Sequence, residues 1–299
     1  MEATSVDRVC IAAICFGDYD RFIAPFCISA LAVYPDMDIH VYCDRPPRRG
    51  IVEKTLNAVG TRRHQVQVDW QVLPSLISKL TNLAPGVCPS TQAMRALRWL
   101  LPPHLFRGRY EYVLISDIDI LFIPLNESFV SFHKSRLERT GLPFSNVVRR
   151  GLPRLSGIHF IEVTPYFESL EGILDEILTS ENTSLKLLTC ANNEEVLYAL
   201  CRQTFDLSHL ELVPRERPWN GIHLGTLRSR RHNLWQSMDL DLSVSQSEAR
   251  NGLLELDRVG ALKSISRASA SPEFRRCLLE FNTPVDRSLR WRLLLQRTV

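Results

Sequence analysis

The run Val9-Cys-Ile-Ala-Ala-Ile-Cys15 is seven residues long, and its only polar atoms outside the backbone are two thiols. A strand with one face in water alternates apolar and polar residues. A strand covered on both faces reads as an unbroken apolar run. Such a strand needs helices above and below it, as in a parallel α/β sheet. The sequence that follows fits this requirement. Phe16-Gly17-Asp18-Tyr19 has turn chemistry, 21–34 reads as a helix stopped by Pro35, and 38–44 reads as a second strand broken by Pro46-Pro47. A helix over 50–59 and a third strand over 65–73 come next. A helix over 90–101 opens at Pro89-Ser90 and closes at Pro102-Pro103. Tyr112-Val-Leu-Ile-Ser116 is a further buried strand. This alternation predicts a Rossmann-like sheet flanked by helices, whose ligands bind beyond the carboxyl ends of the strands. Asp18, Asp44, Asp117 and Asp119 all fall at such ends.

The second half is less regular. It predicts a strand over 156–163, helices over 166–179 and 193–204, an extended piece over 210–213, and loop plus strand over 219–226. The expected division is 1–125, 126–240 and a C-terminal segment, 241–299. From Arg258 onward nine basic residues face three acidic ones, and Arg287-Ser-Leu-Arg-Trp-Arg mixes arginine with Trp291. Two readings of this segment stand side by side: a helix on a membrane surface, or a helix packed on the domain with a basic outer face. The whole chain of 299 residues carries a net charge of only +3, which gives no ground for expecting nucleic acid as a partner. No apolar run reaches the roughly 18 residues that span a bilayer. The eight cysteines lack CxxC spacing, and Met1 to Arg8 is polar, so the expectation is reduced thiols in a cytoplasmic protein, peripheral on a membrane if the tail binds lipid.

Asp117-Ile118-Asp119 follows one apolar strand and precedes Ile-Leu-Phe-Ile. Two acids in so apolar a setting are costly to bury without a partner. Carboxylates are hard oxygen ligands suited to Mn²⁺ or Mg²⁺. The pair therefore points to a cation, and a cation with few protein ligands has room for a diphosphate. A GxGxxG loop is absent, which argues against a dinucleotide cofactor.

Together, Arg98-Trp-Leu-Leu-Pro-Pro-His-Leu and Tyr-Glu-Tyr-Val-Leu-Ile-Ser-Asp117-Ile-Asp119-Ile-Leu-Phe resemble GT-A-fold glycosyltransferases. The closest likeness is to the family of glycogenin and the bacterial lipopolysaccharide galactosyltransferases. The resemblance implies a mixed α/β GT-A sheet and a basic residue on the helix before the acid strand that contacts the sugar nucleotide. Arg98 matches that residue, with Arg95 as the alternative. It implies a third metal ligand, His223, followed by Gly225 and a phosphate-binding Arg228. Here the family's His-x-x-Gly-x-x-Lys is one residue shorter, with Arg for Lys. Asn193, Glu194 and Glu195 match a polar trio at the donor sugar, with Glu194 nearest the reacting carbon. The family usually carries an amide at that place; a carboxylate there would stabilise positive charge or serve as base or nucleophile. Ser156 and Gly157 match a pocket strand, and His159 and Trp219 are assigned to the acceptor. Phe16 to Tyr19 would hold the nucleoside, with Tyr19 on the base and Asp18 or Asp44 on base or ribose groups.

The resemblance thus implies metal-dependent, retaining transfer from a nucleotide diphosphate sugar, foremost a UDP-sugar, to a glycan or lipid-linked hydroxyl. Two other functions share some of these residues. Haloacid-dehalogenase-type phosphohydrolases also use a strand-borne Asp-x-Asp, although Leu121 stands where they usually carry Thr or Val. A non-catalytic sugar-nucleotide-binding protein would keep the pocket without turnover.

Overall fold

β1 (Val9–Cys15) divides its side chains between two cores, as an unbroken apolar strand must. Val9, Ile11, Ala13 and Cys15 pack with Phe22 and with Phe26 and Leu31 of α1 (Ile23–Val33). Cys10, Ala12 and Ile14 pack on the opposite side, with Leu97, Phe106 and Tyr166. The computed structural model describes residues 7–124, 128–149, 151–212, 221–229, 246–269 and 271–280.

Parallel to β1 run β2 (Asp38–Cys43) and β4 (Tyr112–Asp117), one on each side. β3 (Val66–Asp69) extends the sheet beyond β2. β7 (His159–Glu162) lies antiparallel to β4, and β6 (Phe144–Ser145) closes that edge. The order β3-β2-β1-β4-β7-β6 gives a mixed α/β sheet flanked by helices. It reverses direction at β1, so a crevice opens above the carboxyl ends of β1 and β4.

Several boundaries differ from those read off the sequence. The third strand ends at Asp69, whose Oδ1 accepts from the amides of Gln71 and Val72 at 2.8 and 2.9 Å. That Asx turn leads into α3 (Val72–Leu83), the helix after α2 (Ile51–Val59), with Gln71 at its N-cap, where strand was expected. The helix over 90–101 is capped by Ser90 as expected, but α4 covers only Thr91–Ala96 and tightens into a 3-10 turn over Leu97–Leu100. Residues 210–212 belong instead to a 3-10 turn, Leu207–Leu212, and Val213 lies outside the described residues. α5 (Phe129–Thr140) and α7 (Glu181–Leu188) were not anticipated, whereas α6 (Val163–Ile177) and α8 (Asn193–Thr204) were.

A two-stranded ribbon matters most for the site. β5 (Ile120–Phe122) pairs antiparallel with β8 (Gly221–His223), opposing Ile120 to His223. The amide of Leu224 donates to the carbonyl of Asp119 at 2.7 Å. This register sets His223 beside Asp119. A Cβ on Gly221 would lie 2.2 Å from the Leu121 carbonyl oxygen, so only glycine allows the ribbon to close. Gly221→Ala is expected to cost about 1–3 kcal/mol, as overpacked sites do, and to separate His223 from Asp119. Urea unfolding measures the first effect.

α9 (Gln246–Arg258), α10 (Ala261–Ala268) and α11 (Pro272–Glu280) return to the domain beside α1 and the 3-10 turn Leu224–Arg228. Arg21 meets Glu273 at 2.9 Å, and Arg276 donates to the carbonyls of Leu227 and Ser229 at 2.7 and 2.6 Å. α10 buries Ala261, Leu262, Ile265 and Ala268, so its apolar face is covered by protein rather than offered to lipid. The Arg287–Arg292 stretch lies outside the described residues. Among the described residues no helix is long and apolar enough to cross a membrane, and all eight cysteines are free.

Candidate active site

Four chain segments meet above β1 and β4. The first is the acid pair itself. β4 ends at Asp117, and the chain bends before β5, so the two carboxylates leave extended geometry and turn toward the same place. Asp119 is 4% exposed. Its Oδ1 lies 3.3 Å from His223 Nε2, and its Oδ2 lies 3.6 Å from Arg228 Nη2. Burial, with the adjacent Asp117 charge, pushes the Asp119 carboxyl above the ordinary range, against the pull of His223 and Arg228. Asp117 Oδ2 is 4.0 Å from His223 Nε2.

Arg98 supplies the second segment. Held by the 3-10 turn after α4, it is buried and ion-paired to Asp117 Oδ1. Its Nη2 donates to Asn193 Oδ1 at 2.8 Å, and its guanidinium lies 4.3 Å from the Trp99 ring centre. With that burial and these partners, Arg98 holds Asp117 in place and presents almost no surface to a ligand. Arg95 stands at the rim instead, with Nη2 3.5 Å from the Tyr19 hydroxyl.

The third segment is the start of α8. Asn192 caps it, accepting from the amides of Glu194 and Glu195 at 2.8 and 3.3 Å. The Glu194 carboxylate is 15% exposed and meets Arg149 at 2.7 Å. Gly157 closes the gap between these parts. A Cβ there would lie 3.0 Å from Asp117 Oδ2, 3.1 Å from Arg98 Nη2 and 3.7 Å from Glu194 Oε1. Acid strand, arginine and Glu194 therefore line one small volume. Ser156 is buried, and its amide donates to Asn146 Oδ1 at 2.8 Å, which fixes the turn. Glu195 points to Arg154 at 2.7 Å, away from this volume.

The fourth segment is the 3-10 turn Leu224–Arg228. A Cβ at Gly225 would lie 2.0 Å from Asp119 Oδ2, so the glycine permits the close approach. The Arg228 guanidinium spans Asp119 and the Tyr19 ring, 4.9 Å from its centre. Tyr19 stacks on Phe16 at 5.4 Å. Asp44 accepts from the amide of Gly17 at 3.2 Å and pins the β1 turn, where Gly17 has φ 61°. Asp18 is exposed and paired with Arg21.

Two acceptor assignments do not hold a place in this group. His159 is fully buried among Trp99, Phe144 and Tyr166, with Nδ1 2.9 Å from Asn146 Nδ2. Burial pushes its imidazole down to about 3, so it is a neutral core residue with no surface for an acceptor. Trp219 lies outside the described residues.

The donor types suit a hard cation. Corners of an octahedron around Mg²⁺ lie about 3 Å apart, close to the 3.3 Å between Asp119 and His223. Among the described residues no group of three such side chains is already drawn to metal-holding distances, and Arg98 occupies one oxygen of Asp117. His223 Nδ1 is buried with no partner among the described residues.

No family model and no curated protein matches the sequence. Solved structures that are similar include an active-site mutant of LgtC, at 13% identity over 60% of this chain and 69% of that one, with a TM-score of 0.40. Mouse xyloside xylosyltransferase 1 is similar at 10% identity over 69% and 84%, with a TM-score of 0.38. The glycosyltransferase GlyE of Streptococcus pneumoniae is similar at 9% identity over 68% and 46%, with a TM-score of 0.39.

Proposed function

We propose that this chain is a glycosyltransferase that moves a sugar from a nucleotide diphosphate sugar, a UDP-sugar first among them, to a hydroxyl of a glycan or lipid-linked acceptor. The observation that carries the reading is the convergence of Asp117, Asp119, His223, Arg228, Arg98 and Glu194 from four segments at the strand-order reversal.

The parts divide the work by chemistry. The stacked Phe16–Tyr19 pair would flank the base, with Arg228 already against the Tyr19 ring. Arg228, beside Tyr19 and Asp119, is placed for the diphosphate, because a guanidinium fork matches phosphate oxygens. Asp117, Asp119 and His223 would hold Mn²⁺ or Mg²⁺, which as a Lewis acid neutralises charge on the leaving diphosphate. Arg98 and Gly157 keep Asp117 oriented. Glu194 is assigned to the developing positive charge at the anomeric carbon. That carbon loses its bond to the diphosphate oxygen and gains one to the acceptor oxygen, whose hydroxyl proton passes to the departing diphosphate. Retention of configuration is proposed from the resemblance, and NMR of the product anomer tests it. A phosphohydrolase with Asp117 as nucleophile gains no support, since Arg98 ties down one oxygen of that carboxylate.

Donor hydrolysis tests the reading. Purified protein with Mn²⁺ should release UDP from at least one of UDP-glucose, UDP-galactose, UDP-N-acetylglucosamine or UDP-xylose, and chelation should stop it. No release from any of the four refutes the reading. Glu194→Ala, which removes the polar group altogether, should lower turnover about 10²-fold while UDP still binds, the loss usual for one electrostatic contact to a transition state. Unchanged turnover would remove Glu194 from the reacting centre.

A further inference from the structure

Two cavities adjoin the Glu194 end of α8. One, of about 340 Å³, is lined by Arg149, Leu152, Tyr198 and Glu211 among others. The second, of about 520 Å³, is lined by Glu195, Tyr198, Ala199, Arg202 and Gln203 with Pro153. Pro153 and Tyr198 line both, so the two cavities abut at that pair, and together we read them as one groove. Its α8 wall is a helical stripe: 195, 198, 199 and 202 follow the i, i+3, i+4, i+7 spacing of one face. The opposite wall is formed by residues 147–149 and 151–155, fastened by the Val148–Leu155 bridge and by two ion pairs, Arg149–Glu194 and Arg154–Glu195, each at 2.7 Å.

The lining has a recognisable chemistry. Tyr198, Pro153 and the exposed Leu152 offer flat apolar surface. Arg202, Gln203 and Glu211 offer both donors and acceptors. Among the described residues charge is nearly balanced: Arg149 pairs with Glu194 and Glu195 with Arg154, while Arg136 and Arg202 stand against Glu211. A balanced surface of this kind does not select a polyanion. It suits a chain with apolar C–H faces and many hydroxyls. One end of the groove is Arg149, in contact with Glu194.

We propose that this groove binds the acceptor as an extended neutral oligosaccharide, with Tyr198 as its central platform and its end at Glu194. The inference rests on the glycosyltransferase reading for the identity of the ligand. It replaces His159 as the acceptor contact.

The test uses the full chain and three neutral hexasaccharides, maltohexaose, cellohexaose and N-acetylchitohexaose, with the matching disaccharides, titrated by NMR. Binding of at least one hexasaccharide at least about tenfold tighter than its disaccharide is expected, because the site spans two cavities. Tyr198→Ala should weaken it about tenfold, and Tyr198→Phe, which keeps the ring, should restore it to within about threefold; buried aromatic anchors have effects of this size. The proposal is overturned if no hexasaccharide binds with a Kd below about 5 mM, a binding free energy of about 3 kcal/mol. Chain length without effect, or Tyr198→Ala binding as the wild type does, also overturns it. UDP-dependent thermal stabilisation, recorded on the same samples, reports on the donor site alone. Its absence beside intact oligosaccharide binding counts against the donor reading, and the reverse pattern counts against the groove.

Discussion

Gly225→Ala is expected to lower sugar-nucleotide turnover about 10²-fold or more, since a displacement near 1 Å at a reacting site can cost that much. The added methyl carbon would stand 2.0 Å from Asp119 Oδ2 and 2.8 Å from Arg228 Nη2. Arg228, long and partly exposed, can swing aside, but Asp119 cannot move cheaply. Asp119 is buried, short, and held between His223 and Arg228. Its own carbonyl is tied to the amide of Leu224. The carboxylate must therefore leave its position or the 224–228 turn must lift from it, and either change dismantles the group. Gly172 in α6 is the control, because a Cβ there meets nothing within 4 Å. Gly172→Ala should leave turnover intact and add about 0.5–1 kcal/mol of stability, the usual helix-interior gain. Turnover assays and urea unfolding on both variants check the contrast. Full activity in Gly225→Ala would mean that the Asp119 position is irrelevant to the reaction.

Stability should fall steeply as pH drops from 6.5 toward 4.5. Three histidines, His40, His133 and His159, are buried. Burial, together with the Arg109 charge, pushes His40 down to about 4 against the pull of Asp38. His159 is pushed to about 3, and His133 well below the ordinary range, again by burial first. An unfolded histidine binds its proton near pH 6.5, whereas these do not until far lower. Their contribution is complete above that pH and is lost as pH falls through the folded values. Each adds a slope of about 1.4 kcal/mol per pH unit, so together about 4. The raised Asp119 carboxyl works in the opposite sense, as one group against three. Urea titrations at pH 7, 6 and 5 measure the slope, and His40→Gln should reduce it by about a third. A slope of one proton or less would contradict neutral burial of the three rings.

Some of this was legible in the residues. The parallel core followed from Val9–Cys15, because an unbroken apolar strand has no other use in a domain of this size. The acid pair was legible because two carboxylates in an apolar stretch need a partner. His159 was misread from its Ser-Gly neighbours. Its parity with Ile161 on β7 was the better signal, since alternate strand residues share a face and Ile161 is wholly buried. Arg149 carries no local mark. Its pairing with Glu194 spans 45 residues and exists only once Arg149 is brought beside α8 by the fold. The Ile120–His223 register, across a strand of three residues, is equally hidden. α5 had end signals in Ser128 and Gly141, but its largely polar face gave no clear period.

The most direct test of the donor site is the thermal stability of the chain with UDP, with and without Mn²⁺, beside Asp119→Asn. Ligand at a hundred times its Kd should add about 2.7 kcal/mol by mass action. UDP should stabilise the wild type only when Mn²⁺ is present, and Asp119→Asn should remove the effect. Stabilisation by UDP that is equal without the metal, equal in the variant, or absent from both would contradict it.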